Sequence, residues 1–165
     1  MFIKLLLVIS MVQAYRRIPS FRRRLPLELS ISAGFSNNQY LEIVQAAHDW
    51  NQAAGVELFH RVGVAPANTD IVPELVETGG GTYLRALYNG NGEWSVKNST
   101  TWISTRLTGA ALYNVALHEF GHTLGLDHAL ESPVMSYVLV LSPDGTTTAS
   151  VERLAITADD VNGLG

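Results

Sequence analysis

His118, Glu119, His122 and His128 fall within eleven residues, in the run His118-Glu119-Phe120-Gly121-His122-Thr123-Leu124-Gly125-Leu126-Asp127-His128. Residues four apart share one face of a helix, so His118 and His122 can aim two imidazoles at one metal ion. Glu119 lies about 100° further round the helix. From there its carboxylate can reach a water on the metal without ligating the metal itself. Gly125 comes three residues after His122 and can take φ > 0, ending the helix in a left-handed cap. The chain can then turn back and deliver His128 as a third ligand. Three imidazoles leave one position of a tetrahedral Zn²⁺ open, as catalytic zinc sites require. The chemistry this pattern predicts is hydrolysis assisted by one catalytic Zn²⁺, with Glu119 as general base. Two histidines and a glutamate at H-E-x-x-H spacing recur by accident, but five fixed positions in eleven are far more specific. A helix burying His118 and His122 without a metal would hide two polar rings at considerable cost.

The elements that must hold these groups are legible from periodicity. Leu27–Ser32 alternates apolar and polar residues and reads as a first strand. Ser36-Asn37-Asn38 caps a helix running to about Ala54, with Leu41, Val44, Ala47, His48, Trp50 and Ala54 as its expected inner face and Gly55 as its end. Further strands are expected at Val56–Val62, Asp70–Val72, Thr82–Tyr88 and Trp102–Ser104, with turn chemistry at Asn89–Gly92. Leu107–Leu124 carries the metal-binding helix, and Thr157 caps a last helix that reaches Leu164. The class is therefore α+β, with five strands, a long first helix, a metal-binding helix and a C-terminal helix.

At 165 residues the chain is long enough for one domain with its own core. Hydrophobic content of 47% against 16% charged fits a globular protein rather than a disordered one. There is no cysteine, hence no disulfide framework, no thiolate ligand and no cysteine-based latency. Residues 1–14 read as a secretory signal: Lys4, the apolar run Leu5–Val12, and a cleavage site at Val12-Gln13-Ala14. A buried first strand is the competing reading of that run, which is too short to span a bilayer. Residues 15–24 carry Arg16, Arg17, Arg22, Arg23 and Arg24 and form a basic linker, a dibasic processing site or a short pro-segment. Residues 25–165 hold five basic residues against all fifteen acidic ones, which argues against a nucleic-acid partner. A secreted domain is expected.

The zinc run, followed by a methionine in Ser132-Pro133-Val134-Met135-Ser136-Tyr137, resembles the metzincin metallopeptidases. Within them, Leu117–His128 and Ile156–Leu164 are similar to the matrixin branch, and the element order matches that architecture. The resemblance implies a twisted, mixed five-stranded metzincin sheet and a monomeric zinc endopeptidase acting on protein or peptide substrates. It implies Met135 as an apolar base beneath the three imidazoles, not a ligand. It also implies an edge strand that pairs with extended substrate, placed here at Tyr83–Leu87, with Tyr83, Leu84, Arg85 and Ala86 as substrate-binding positions and Asn114 lining the pocket.

The chain departs from matrixins in two ways. No histidine lies between His60 and His118, so the second, structural zinc of that branch is not expected, and calcium has no support beyond the acidic stretch Asp70–Glu77. Met135-Ser136-Tyr137 is more similar to the turn of astacins and serralysins, which leaves Tyr137 as an extra ligand, an oxyanion donor or a wall of the pocket. His48 and His60 are not expected to ligate. A secreted zinc-binding module without peptidase activity is the alternative reading, and the retained Glu119 speaks against it.

Overall fold

A computed structural model describes residues 21–62, 67–74, 79–88, 94–129, 132–136 and 152–164. Its elements are β1 (Phe21–Arg22), β2 (Leu27–Ile31), α1 (Asn37–Ala54), β3 (Phe59–Arg61), β4 (Thr69–Glu74), β5 (Gly80–Tyr88), β6 (Trp94–Ser104), α2 (Gly109–Thr123) and α3 (Ala158–Asn162). The sheet is mixed, as expected, but has six strands instead of five. The addition is β1, which lies in the basic leader and pairs parallel with the start of β6. Strands β2, β3 and β4 run parallel to one another, and β4 runs parallel to β6. Only β5 is antiparallel, paired along its whole length with β6. Both of β6's sides are thus used, by β5 on one and by β4 and β1 on the other, which puts β5 at one edge and β3 at the other. The expected turn at Asn89–Gly92 lies outside the described residues.

Helix α1 is built from its own sequence. Ser36 and Gln39 form a reciprocal capping box, and Gly55 ends the helix at φ 68°, a left-handed conformation that costs glycine little. Its buried face is Gln39, Ile43, Ala46, Ala47 and Trp50. This corrects the face expected from sequence: Leu41 is 61% exposed. The true stripe runs back from Trp50 in steps of three and four residues through Ile43, one helical register away from Leu41. Gln39 is buried at its end and donates to the carbonyls of Thr105 and Leu107, so the helix is tied to the chain entering α2.

Helices α1 and α2 pack against each other and against one face of the sheet. The core between them holds Leu27, Leu29, Ile43, Trp50, Phe59, Ile71, Ile103, Leu112 and Phe120. The Phe59 and Phe120 rings sit 4.9 Å apart, and the Trp50 indole donates 2.9 Å to the Leu117 carbonyl. Strand β6 reaches back to Trp94, well before the expected Trp102, because its polar middle is buried without being apolar. Ser99 is 2% exposed and Thr101 0%. Their hydroxyls are paired across to Thr69, Thr82, Thr123 and the Arg23 guanidinium. No described helix is long and apolar enough to cross a membrane.

Candidate active site

Helix α2 is buried along nearly its whole length, at every residue from Ala111 to Thr123. It therefore carries Asn114, His118, Glu119 and His122 into the interior. After Thr123 the chain leaves the helix, with the Leu126 amide bonded back to the Gly121 carbonyl and Gly125 at φ 96°. This is the glycine cap the spacing predicts, and it brings His128 round to the other two histidines.

The three Nε2 atoms form a small triangle. His118 and His122 are 3.0 Å apart, and His128 lies 3.2 Å from each. Among the described residues this is the one group of three or more such side chains gathered closely enough to hold a metal. The hydrogen bonds of the other ring nitrogens decide what the triangle is. The Nδ1 of His118 sits 2.7 Å from the Val134 carbonyl and that of His122 2.9 Å from the Leu126 carbonyl. A carbonyl only accepts, so each Nδ1 carries the proton and each Nε2 presents a lone pair. Lone pairs at this separation repel unless a cation lies between them. Zn–N bonds of about 2.0–2.1 Å in a tetrahedron set nitrogens roughly 3.3 Å apart. The donor set and its spacing fit a zinc ion.

Burial keeps these rings neutral. It lowers the pKa of His118 to about 3, aided by the neighbouring His122, and that of His122 to about 4 against the pull of the Leu126 carbonyl. His128 is lowered too, again by burial, with the Asp127 charge opposing. Glu119, 3% exposed, is pushed up to about 7 by burial, against the hydrogen bond from Thr82. That bond runs 2.8 Å from Thr82 Oγ1 to Glu119 Oε2.

Met135 is 1% exposed, and its sulfur lies against Gly121 so closely that a Cβ at that position would stand 2.3 Å from it. The glycine between Phe120 and His122 is therefore the floor on which this methionine rests, a role the motif alone does not announce. The turn around Met135 is fixed from both sides. Ser132 accepts from the Met135 amide and donates 2.5 Å to Asp160. Asp160 is 4% exposed and is also the third residue of the Thr157 capping box of α3. The last helix thus serves the site by holding the methionine turn.

Other predicted positions are distributed as follows. Asn114 is 3% exposed and spends its amide on the Glu152 carbonyl and the Leu154 amide, facing the C-terminal segment. Thr82 and Gly80 face α2, whereas Tyr83 projects to solvent, 69% exposed. Arg85 is exposed and Leu84 half-buried; the Ala86 side chain and all of Tyr137 lie outside the described residues. His48 and His60 are exposed and pair with Asp49 and Glu57, remote from the triangle.

Sequence reasoning missed Thr82 and Arg23. The Arg23 guanidinium donates to the Thr123 carbonyl, the Asn68 carbonyl, Thr69 and Ser99. Burial lowers its pKa to about 10, which leaves it charged at neutral pH. A cation at the last turn of α2 complements the helix dipole. The lone arginine in a basic run gives no sign of this; the hydroxyl-rich alternation of β6 is the only signal.

Residues 73–165 match the Peptidase_M10 family model, described as Matrixin. The chain belongs to the matrixin family. It is 38% identical over 58 residues to the hatching enzyme of Paracentrotus lividus, a stretch covering 35% of this chain and 10% of that protein. It is 31% identical over 74 residues to stromelysin-1 of Mus musculus, covering 45% of this chain and 14% of that protein.

Proposed function

We propose that the chain is a zinc-dependent endopeptidase acting on extracellular proteins and peptides, with His118, His122 and His128 holding one Zn²⁺ and Glu119 as general base. The observation that carries this reading is the Nε2 triangle of 3.0–3.2 Å set one residue from a buried carboxylate. Bound there, Zn²⁺ supplies Lewis acidity toward water and the scissile carbonyl. Glu119 takes the proton of the attacking water and passes it to the leaving amine. Burial raises the Glu119 pKa before any metal is bound, so this carboxyl can both take and return a proton. His118 and His122 stay oriented because their Nδ1–H groups are spent on backbone carbonyls.

Substrate binds as an extra strand on β5. This edge pairs with β6 on one side and with no other strand among the described residues, so its backbone groups can hold an extended peptide antiparallel. The side chains of Tyr83 and Arg85 point to solvent, and recognition at Tyr83–Leu87 therefore rests mainly on the backbone. Tyr137 adds a hydrogen bond to the developing oxyanion. Residues 1–14 direct secretion, and the mature domain works as a monomer.

The test is cleavage of casein and a mixed peptide library by the zinc-loaded chain, beside Glu119→Ala. Activity is expected to fall by about 10²–10⁴ in the variant. It should vanish with a chelator and return with zinc. Stoichiometric zinc without cleavage of any peptide would instead support a zinc-binding module.

A further inference from the structure

Three threonines converge beneath Glu119, Thr101 and Thr123 fully buried and Thr82 half-buried. Thr82 of β5 lies 2.8 Å from Glu119 Oε2 and 3.0 Å from Thr101 Oγ1 of β6. Thr123 of α2 donates 3.0 Å to the Glu119 backbone carbonyl and lies 3.3 Å from Thr101. Each hydroxyl has one proton, and the acceptors decide where it goes. The Thr123 proton is taken by the carbonyl. The carboxylate is the strongest acceptor near Thr82, closer than the Glu119 carbonyl at 3.2 Å, and takes its proton. Thr101 donates to Thr82 or to Thr123, and in either case the bond at Glu119 Oε2 is donated by Thr82. Gly80, two residues before Thr82, lies so close to Glu119 that a Cβ there would stand 3.3 Å from its Cγ and 2.7 Å from Val115. The stem of Glu119 is thus walled by β5, and one of its two carboxylate oxygens is claimed by β5.

We propose that Thr82 is a positioning residue: it fixes the rotation of the Glu119 carboxylate by holding Oε2, so that Oε1 is the oxygen offered to the reacting water. This rests on the peptidase reading given above. The same strand then orients both partners of the reaction, the peptide through its outer backbone edge and the base through an inward side chain. A shift of β5 on substrate binding is carried directly to the carboxylate. Outer-shell partners that orient the ligands of metal sites are worth about 10–100-fold in affinity or activity, and an effect of that order is expected for a partner that orients the base.

Two variants separate positioning from structure. Thr82→Val removes the donor at nearly equal volume, and Thr82→Ser keeps it. With a cleaved peptide as substrate, Thr82→Val should lower kcat about 10–100-fold with KM and zinc affinity within about twofold, and Thr82→Ser should stay within about threefold of the parent. Zinc affinity is read by competition with a chromogenic chelator. The second readout needs no activity: the carboxyl ¹³C resonance of Glu119, assigned by its loss in Glu119→Gln, should move in Thr82→Val and hold in Thr82→Ser. Should valine prevent folding, Thr82→Ala removes the same donor with less volume. An unmoved resonance, an unchanged kcat in Thr82→Val, or an equal loss in Thr82→Ser would each overturn the assignment. A parent that cleaves nothing while the resonance moves as expected would sink the peptidase reading and leave the positioning of the carboxylate standing.

Discussion

The two long helices pack side by side and are made in opposite ways. Helix α1 is stabilised by its neighbours in sequence: Ser36 and Gln39 close its first turn, and Gly55 its last. One face is buried and the other is wet. Helix α2 has Thr108 at its N-terminus without a side-chain cap bond, and its last turn is served by Arg23, a hundred residues upstream. It is buried on all sides and carries an amide, two imidazoles and a carboxylate inward. The contrast teaches that the functional helix is held by tertiary contacts and spends stability on its polar cargo, whereas the supporting helix obeys local rules.

The largest expected break of this contrast is at Arg23. Arg23→Met removes a donor shared by two carbonyls and two hydroxyls, of which the Asn68 carbonyl keeps the Ser99 amide and Thr69 keeps the Ser99 hydroxyl, and should destabilise the protein by about 3 kcal/mol, measured by urea unfolding. Loss of less than about 1 kcal/mol would show that α2 does not depend on its remote cap. Next is Glu119→Gln in the zinc-free protein. A folded pKa of about 7 against an ordinary carboxylate value means that stability is lost as pH rises between about 4.5 and 7. The amide removes that loss, so the variant should be more stable than the parent at pH 8 by on the order of 2–3 kcal/mol, and zinc should erase the difference by meeting the charge. The lowered histidines act in the other sense. Their contribution is intact above about pH 6.5 and fades as pH falls toward the folded values of about 4 and 3. Glu119→Gln should therefore show a single acid-side decline, where the parent has a stability maximum blunted by two opposed slopes. The smallest effect is Ser36→Ala, about 1 kcal/mol, with zinc affinity unchanged. A large loss of zinc affinity there would mean that the two helices are not separable.

What could be read from the sequence divides along the same line. The caps of α1, the zinc run, Gly125 and the Thr157 box are local patterns, and each appears where its spacing predicts. The buried face of α1 differs from the expected one at Leu41, because the stripe set by Trp50, Ala47 and Ile43 runs on to Gln39 and leaves Leu41 on the outer face. The first part of strand β6, before the expected Trp102, is not legible from periodicity, since apolar alternation is the signal for a buried strand and this one is satisfied by hydroxyl pairs. Arg23, Thr82, Gly121 and Asp160 act on the site across 37 to 100 residues or through a turn and a helix cap. No periodicity encodes such distances.

The backbone carbonyls that hold His118 and His122 by their Nδ1–H groups have a thermodynamic consequence. With the tautomers already set and the rings neutral, these two ligands have no proton to shed when a cation arrives at neutral pH. Glu119, raised by burial, does have one. The heat of metal uptake should thus vary with the ionisation enthalpy of the buffer, and the part of that variation lost in Glu119→Gln counts the proton stored on this carboxyl, apart from any released by water on the metal.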